Sequence, residues 1–313
     1  MKIIDFNMIK DLRINPLQCV DWVRDAFCAK YQSILPPKIS IKLQNDVFFN
    51  TMPAYIPSEN RFGVKIVSRY PERKPSLKSD FLLYCAKTGE PLALMDASWI
   101  TAMRTGAVAT LAIQTLKSEY SKVYSFMGLG NTARATLLCL LNVLGDQPIE
   151  VRLLAYKKQE LDFIERFRNY NNVQFVIVKS ISEWAEGADV IVSCVTAANE
   201  LLVPDQYFKK GVLVVPVHTR GFQNCDLFFD KVFADDTAHV CGFKYFDKFH
   251  CYDELSNVLL NKSVGRANDC ERILAYNIGI ALHDVYFASK IYDLIGTKTE
   301  DLNLFDENNK FWI

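Results

Sequence analysis

The stretch 123–144, VYSFMGLGNTARATLLCLLNVL, restricts the fold more than any other part of this chain. A short apolar run, Val123–Met127, enters Gly128-Leu129-Gly130-Asn131-Thr132-Ala133, and an Ala- and Leu-rich run of helical type continues to Gly145, a helix-stopping residue. Strand, G-x-G-x-x-A loop and helix in that order make the fingerprint of a dinucleotide-binding turn. The first glycine allows a tight turn off the strand. The second, lacking a Cβ, lets a pyrophosphate approach the backbone, and the small Ala133 in third place still lets helix and strand pack closely. Phosphates would sit on the free N–H groups of the helix start, where the helix dipole favours negative charge. The six loop residues are therefore candidate cofactor contacts, with an ordinary structural turn as the alternative.

With 313 residues, 50% of them apolar and 23% charged, the chain has room for two domains and a large core. Lys plus Arg equals Asp plus Glu at 36 each, so no basic field exists to draw nucleic acid or an anionic membrane, and the expected partner is a small molecule. The nine cysteines are scattered, odd in number and without a C-x-x-C pair. They point to free thiols in a reducing cytoplasm, with neither a disulfide framework nor a zinc site. His218, His239, His250 and His283 show no metal spacing, so no metal is expected. The opening MKIIDFNMIK lacks the apolar core of a signal peptide. No segment reaches the roughly 18 apolar residues of a membrane helix.

In chain order, Asn15-Pro16 reads as a cap followed by proline in the first helical position, and Val20, Val23, Phe27 and Tyr31 recur at helical spacing, which predicts a helix over 16–31. From 39 to 96 the pattern becomes β, with runs such as FGVKIVSRY, DFLLYC and PLALMD and a hairpin turn at KTGE. Ser98 can cap a helix through TAMRTGAVATLAIQTL. Beyond the fingerprint, strands at 151–156, 173–178, 189–195, 212–217 and 232–234 alternate with helices, among them 159–170 and a short one capped by Ser182. That alternation predicts a doubly wound parallel sheet. A long helix at 278–294 closes the chain. The expected class is α/β, with a Rossmann domain over 119–277 and a discontinuous α/β domain over 1–118 completed by 278–313.

Four places carry candidate chemistry. Lys65 lies mid-strand in FGVKIVSRY, either on an exposed face or in a cleft, where it would bind a carboxylate or exchange protons with its pKa lowered by burial. Arg104 is the lone charge in a helix of small residues, and an unpaired charge there would be costly. Its partner would be a substrate carboxylate gripped by the planar fork, or Asp96 within the chain. Dinucleotide choice is read after the second strand of such a fold. Here that place reads Leu154-Ala155-Tyr156-Lys157-Lys158, with no carboxylate to repel a 2′-phosphate and two lysines to bind one. NADP(H) is accordingly favoured over NAD(H), with solvated lysines as the alternative. Thr196, after the strand DVIVSCV, would line the cofactor cleft.

Taken together, these segments resemble the ornithine cyclodeaminase and mu-crystallin family. The matching stretches are Thr51-Met52-Pro53-Ala54-Tyr55, Gly63-Val64-Lys65, Thr88-Gly89-Glu90-Pro91-Leu92-Ala93, Met95-Asp96, Ile100-Thr101, Arg104-Thr105-Gly106-Ala107, the glycine loop, Gly265-Arg266, and Gly279-x-Ala281-x-x-Asp284. The resemblance implies an N-terminal substrate domain that also forms a homodimer, with a Rossmann domain inserted. It places Lys65 and Arg104 on the family's substrate-binding and catalytic cations and Thr105 on the cofactor. Lys38, after Pro36-Pro37, falls where members usually carry an arginine for the substrate carboxylate.

The departure lies in Val215-Pro216-Val217-His218-Thr219-Arg220-Gly221, upstream of an acidic residue that corresponds to Asp226. Members that cyclise ornithine carry there an aspartate for the distal amine, whereas this chain has Arg220. An arginine cannot accept a proton, which argues against ornithine cyclisation and suits a second substrate carboxylate. In this it is similar to the branch containing siderophore-precursor dehydrogenases. The implied activity is an NAD(P)-dependent oxidoreductase moving hydride at the Cα–N centre of an amino or imino acid, as a ketimine reductase or amino-acid dehydrogenase. A cyclodeaminase using NAD catalytically is the first alternative, and an NADPH-dependent small-ligand binding protein is the second.

Overall fold

The computed structural model describes residues 1–195, 198, 200–217, 221–297 and 302, and the chain forms two compact units. The first holds Met1–Ile14, Gln32–Thr101 and the chain from Asp284. The second holds Asn15–Tyr31 and Ala102–His283. These divisions differ from boundaries at 118 and 278, because they fall inside two long helices and because the early amphipathic helix goes with the second unit. The helices are α1 (Phe6–Asp11), α2 (Pro16–Cys28), α3 (Ser98–Leu116), α4 (Asn131–Leu144), α5 (Gln159–Arg166), α6 (Ile181–Ala185), α7 (Cys225–Phe228), α8 (Thr237–Val240), α9 (Leu255–Leu259) and α10 (Ala281–Ile295). Asn15 caps α2 by accepting the Leu17 N–H at 2.9 Å. The buried stripe of α2, with Cys19, Val20, Val23 and Phe27, accompanies its packing on α4 and α9, which explains its allegiance. No helix of the described residues is long and apolar enough to cross a membrane.

In the first unit, β1 (Lys2–Ile4), β2 (Ile39–Lys42), β3 (Phe48–Ile56), β4 (Arg61–Arg69), β5 (Leu77–Cys85) and β6 (Pro91–Asp96) form one sheet in the order β1-β6-β5-β4-β3-β2. β1 runs parallel to β6, and every other pairing is antiparallel. β4 alternates as half-buried strands do, with Gly63, Lys65 and Val67 inward and Phe62 and Ile66 outward.

In the second unit, β7 (Val123–Met127), β8 (Ile149–Leu154), β9 (Val173–Val178), β10 (Val190–Ser193), β11 (Leu213–Pro216), β12 (Lys231–Ala234), β13 (Asp253–Glu254) and β14 (Ile273–Tyr276) form a sheet in the order β13-β12-β14-β11-β10-β7-β8-β9. Every pairing is parallel. β10, β11 and β14 are buried at every position, as expected where both faces are covered. From β7 the chain winds outward to β8 and β9, then returns to β10 and β11 on the other side. The order therefore reverses between β7 and β10, the switch point where such sheets bind ligands.

Several expected details are corrected. The cap of α6 is Ser180, not Ser182, because Ser180 stands three residues before Glu183 and the two close a capping box. α10 begins at Ala281, not 278, since Gly279 has φ +91 and cannot be helical. α5 stops at Arg166, short of 170. The expected strands at 151–156, 189–195 and 212–217 run instead as Ile149–Leu154, Val190–Ser193 and Leu213–Pro216.

Candidate active site

The glycine loop lies at the switch point. Gly128 has φ +73, and a Cβ there would lie 2.5 Å from the backbone of Cys194, so only glycine fits between the end of β7 and the chain leaving β10. A Cβ on Gly130 would meet nothing within 4 Å. Gly130 is the N-cap of α4, and no side chain caps the helix. Its first N–H groups and an open approach therefore lie side by side, which fits a pyrophosphate. Leu129 and Ala133 are buried and pack the turn, Thr132 is half-buried and Asn131 exposed. Arg134, in the same first turn, went unremarked in the sequence reasoning although it directly follows the loop. Its Nε is shielded from solvent and lacks a hydrogen-bond partner among the described residues.

The Arg104-Thr105-Gly106-Ala107 segment lies on α3, buried throughout. A Cβ on Gly106 would lie 2.5 Å from the backbone of Ala135 and Thr136, so α3 and α4 touch backbone to backbone there. The Thr110 hydroxyl donates to the Thr136 carbonyl at 3.1 Å. These contacts fix Arg104 and Thr105 relative to the glycine loop. Asp96, the alternative partner for Arg104, accepts the Ser98 N–H at 2.8 Å where α3 begins.

At the end of β8, Tyr156, Lys157 and Lys158 are exposed, and both lysines have left-handed backbone, with φ 51 and 64. The Tyr156 N–H donates to Glu160 Oε2 at 3.1 Å. Glu160 thus brings a carboxylate to this turn from the first turn of α5, two residues beyond a stretch, 154–158, that has none of its own.

In the first unit Lys65 is buried, which discards the exposed-face reading. One rung of the sheet runs Ile4, Met95, Phe81, Lys65, Met52, all buried and all apolar except the lysine. A Cβ on Gly63 would lie 2.5 Å from the Phe81 ring, so the glycine of the GVK motif makes room for that ring beside Lys65. Lys65 Nζ reaches Asp284 Oδ1 at 2.8 Å, with 1% and 0% of the two residues exposed. Asp284 stood in the family motif without a role. A pair buried this fully must recover the cost of removing both charges from water, so it is poor evidence of stabilisation and good reason to look for chemistry. Lys38 stands exposed immediately before β2. Thr196, His218 and Arg220 lie outside the described residues.

Two acids and a motif complete the inventory. Asp235, buried after β12, accepts the Gly279 N–H through Oδ2 at 2.5 Å, and burial raises its pKa. The glycine that opens the late motif is required by its backbone, since its φ of +91 lies in the region that side chains with a Cβ rarely adopt. Asp226 is buried and accepts the Tyr276 hydroxyl through Oδ1 at 2.7 Å. Gly265-Arg266 is structural, since Arg266 Nε donates to the Leu116 carbonyl at 2.7 Å and so caps α3.

The model of the ornithine cyclodeaminase/mu-crystallin family matches residues 8–299. Among curated proteins, the chain is 29% identical over 278 residues to the nodulation efficiency protein NfeD of Rhizobium meliloti, covering 83% of each. It is 25% identical over 291 residues to a Δ1-pyrroline-2-carboxylate reductase of Bacillus cereus, covering 84% of this chain and 86% of the other. Among solved structures, the Δ1-pyrroline-2-carboxylate reductase of Thermococcus litoralis in complex with NADH and L-proline superposes with a TM-score of 0.84 at 25% identity, covering 94% of this chain and 97% of that one.

Proposed function

The chain belongs to the ornithine cyclodeaminase/mu-crystallin family, and on that footing we propose that it is an NAD(P)-dependent oxidoreductase that reduces the C=N bond of a small imino acid, or oxidises the corresponding amine. The relatives named as pyrroline-carboxylate reductases support the reaction class. The observation that carries the reading is the buried Lys65–Asp284 pair. An imine accepts hydride at carbon once its nitrogen is protonated, and Lys65 Nζ, charged beside Asp284, is a proton donor to that nitrogen. Arg104 takes the substrate α-carboxylate with its planar fork, with Lys65 and Lys38 assisting, so that Cα is held for reaction. Arg220 is assigned a further carboxylate on the substrate.

The nicotinamide supplies the hydride when it is bound. Residues 128–133 would hold its pyrophosphate, and Thr105 and Thr196 are assigned to the same cofactor. Tyr156, Lys157 and Lys158 receive the adenosine end, with NADP(H) preferred. The same reading includes a cytoplasmic homodimer that buries the outer face of the first unit's sheet.

Replacing Arg104 with Lys keeps the charge but removes the bidentate fork. The KM for the imino acid should rise at least about tenfold, the equivalent of one good charge-assisted hydrogen bond, with the Kd for NADPH unchanged. An unchanged KM would remove the clamp.

A further inference from the structure

We infer that Glu160 sets the dinucleotide choice of this chain by latching the Lys157–Lys158 turn in the shape that presents both ammonium groups to a 2′-phosphate, an inference that rests on the cofactor reading above. The strand β8 ends at Leu154, and the Ala155 N–H still donates to the Val178 carbonyl at 2.9 Å. The chain then turns through two consecutive left-handed residues, Lys157 and Lys158. A residue with a Cβ adopts that conformation at a cost, and neither position is glycine or asparagine, the residues that adopt it readily. Strain of this kind persists only where surrounding bonds hold it, and it gathers at ligand sites.

Three bonds hold this turn. The Gln159 N–H donates to the Tyr156 carbonyl at 3.0 Å, and the Leu161 N–H donates to the Lys158 carbonyl at 3.3 Å. The third is the side chain of Glu160, 8% exposed, whose Oε2 accepts the Tyr156 N–H. NAD-binding folds use a carboxylate near this place to accept bonds from the ribose hydroxyls. Here the carboxylate is turned back onto the main chain, where Oε2 accepts the Tyr156 N–H. What the turn offers outward is cationic: Lys158 is exposed, and Lys157 Nζ lies over the exposed Tyr156 ring, 5.0 Å from its centroid. Glu160 is a positioning residue, acting through the two lysines.

The test is a fluorescence titration of the purified protein with NADPH and NADH, together with displacement by 2′,5′-ADP and by 5′-AMP, for wild type, Glu160→Ala, Glu160→Gln and Lys158→Ala. Wild type should prefer NADPH. Glu160→Ala and Lys158→Ala should each lose about tenfold in NADPH and 2′,5′-ADP affinity, with NADH and 5′-AMP little changed. Glu160→Gln, which keeps an acceptor for the Tyr156 N–H, should restore most of the preference.

An equal loss for both dinucleotides in Glu160→Ala would make the residue merely structural and overturn the inference. Tighter NADPH with weaker NADH would also overturn it, by showing a carboxylate that faces the ribose. Wild type binding neither dinucleotide overturns the cofactor reading itself, and wild type preferring NADH overturns the NADP choice and the latch together. A preference for NADPH that no Glu160 variant moves overturns the latch alone.

Discussion

A lysine in an apolar rung and two carboxyls buried beyond the reach of water show what single residues cost in this chain. Removing Lys65 would break the buried Lys65–Asp284 pair, a change worth about 3–5 kcal/mol in comparable pairs. Asp226 gives a cleaner reading, since its titration can be followed without the substrate. Burial pushes its carboxyl up to about 7 from the ordinary 3.8, against the Tyr276 hydroxyl bond, which favours the charged form. The folded chain therefore binds this proton more tightly than the unfolded chain does. Stability is unaffected below about pH 4 and is lost as pH rises toward 7. Asp226→Asn keeps an oxygen for Tyr276 and cannot ionise. Its Tm should decline less than that of wild type between pH 4 and 7, by the equivalent of up to a few kcal/mol. Thermal melts across that range check the sign, and parallel profiles would contradict it.

At the scale of elements, what could be read from the sequence was local. The glycine loop was legible because an apolar strand-type run, G-x-G-x-x-A and a run of Ala and Leu follow one another within a few residues, and the positive φ of Gly128 and the open N-cap at Gly130 give the physical reason. The early helix was legible from its cap and stripe, but not its allegiance, since nothing in 16–31 says that α4 will receive it. β14 was missed because ILAY is four apolar residues with no alternation, and its place between β11 and β12 is decided by partners far away in sequence. β1 was missed because three residues show no period. The same divide runs through the site. Lys65, Arg104 and the glycines stood out by their surroundings, whereas the Asp284 partner of Lys65 comes 219 residues later and only folding reveals it. Gly106 was legible as a motif, yet its reason, the backbone of α4 against it, is tertiary.

Over the whole molecule, the first unit has an apolar outer sheet face whose large side chains stand exposed among the described residues. Ile3, Leu94, Phe62, Ile66, Ile39 and Ile41 are exposed there, and Phe62 stacks on Tyr84 with ring centroids 4.9 Å apart. A patch of this kind on a sheet face calls for a partner, and in the proposed homodimer a second copy of the chain would cover it. Ile66→Asp combined with Leu94→Asp should convert a dimer to a monomer in sedimentation equilibrium without changing the far-UV spectrum. A wild-type monomer, or a variant that stays dimeric, would contradict that use of the face.

Hydride transfer to the imine carbon is the central step of the proposed function. The most direct measurement is to incubate the protein with Δ1-pyrroline-2-carboxylate or a related cyclic imino acid and NADPH carrying deuterium at the transferable position, then to analyse the product by mass spectrometry and NMR. Hydride transfer at the Cα–N centre would oxidise the cofactor and give an amino acid with deuterium at Cα. No oxidation across a panel of imino acids, or ammonia released from ornithine with no net change in the cofactor, would contradict it.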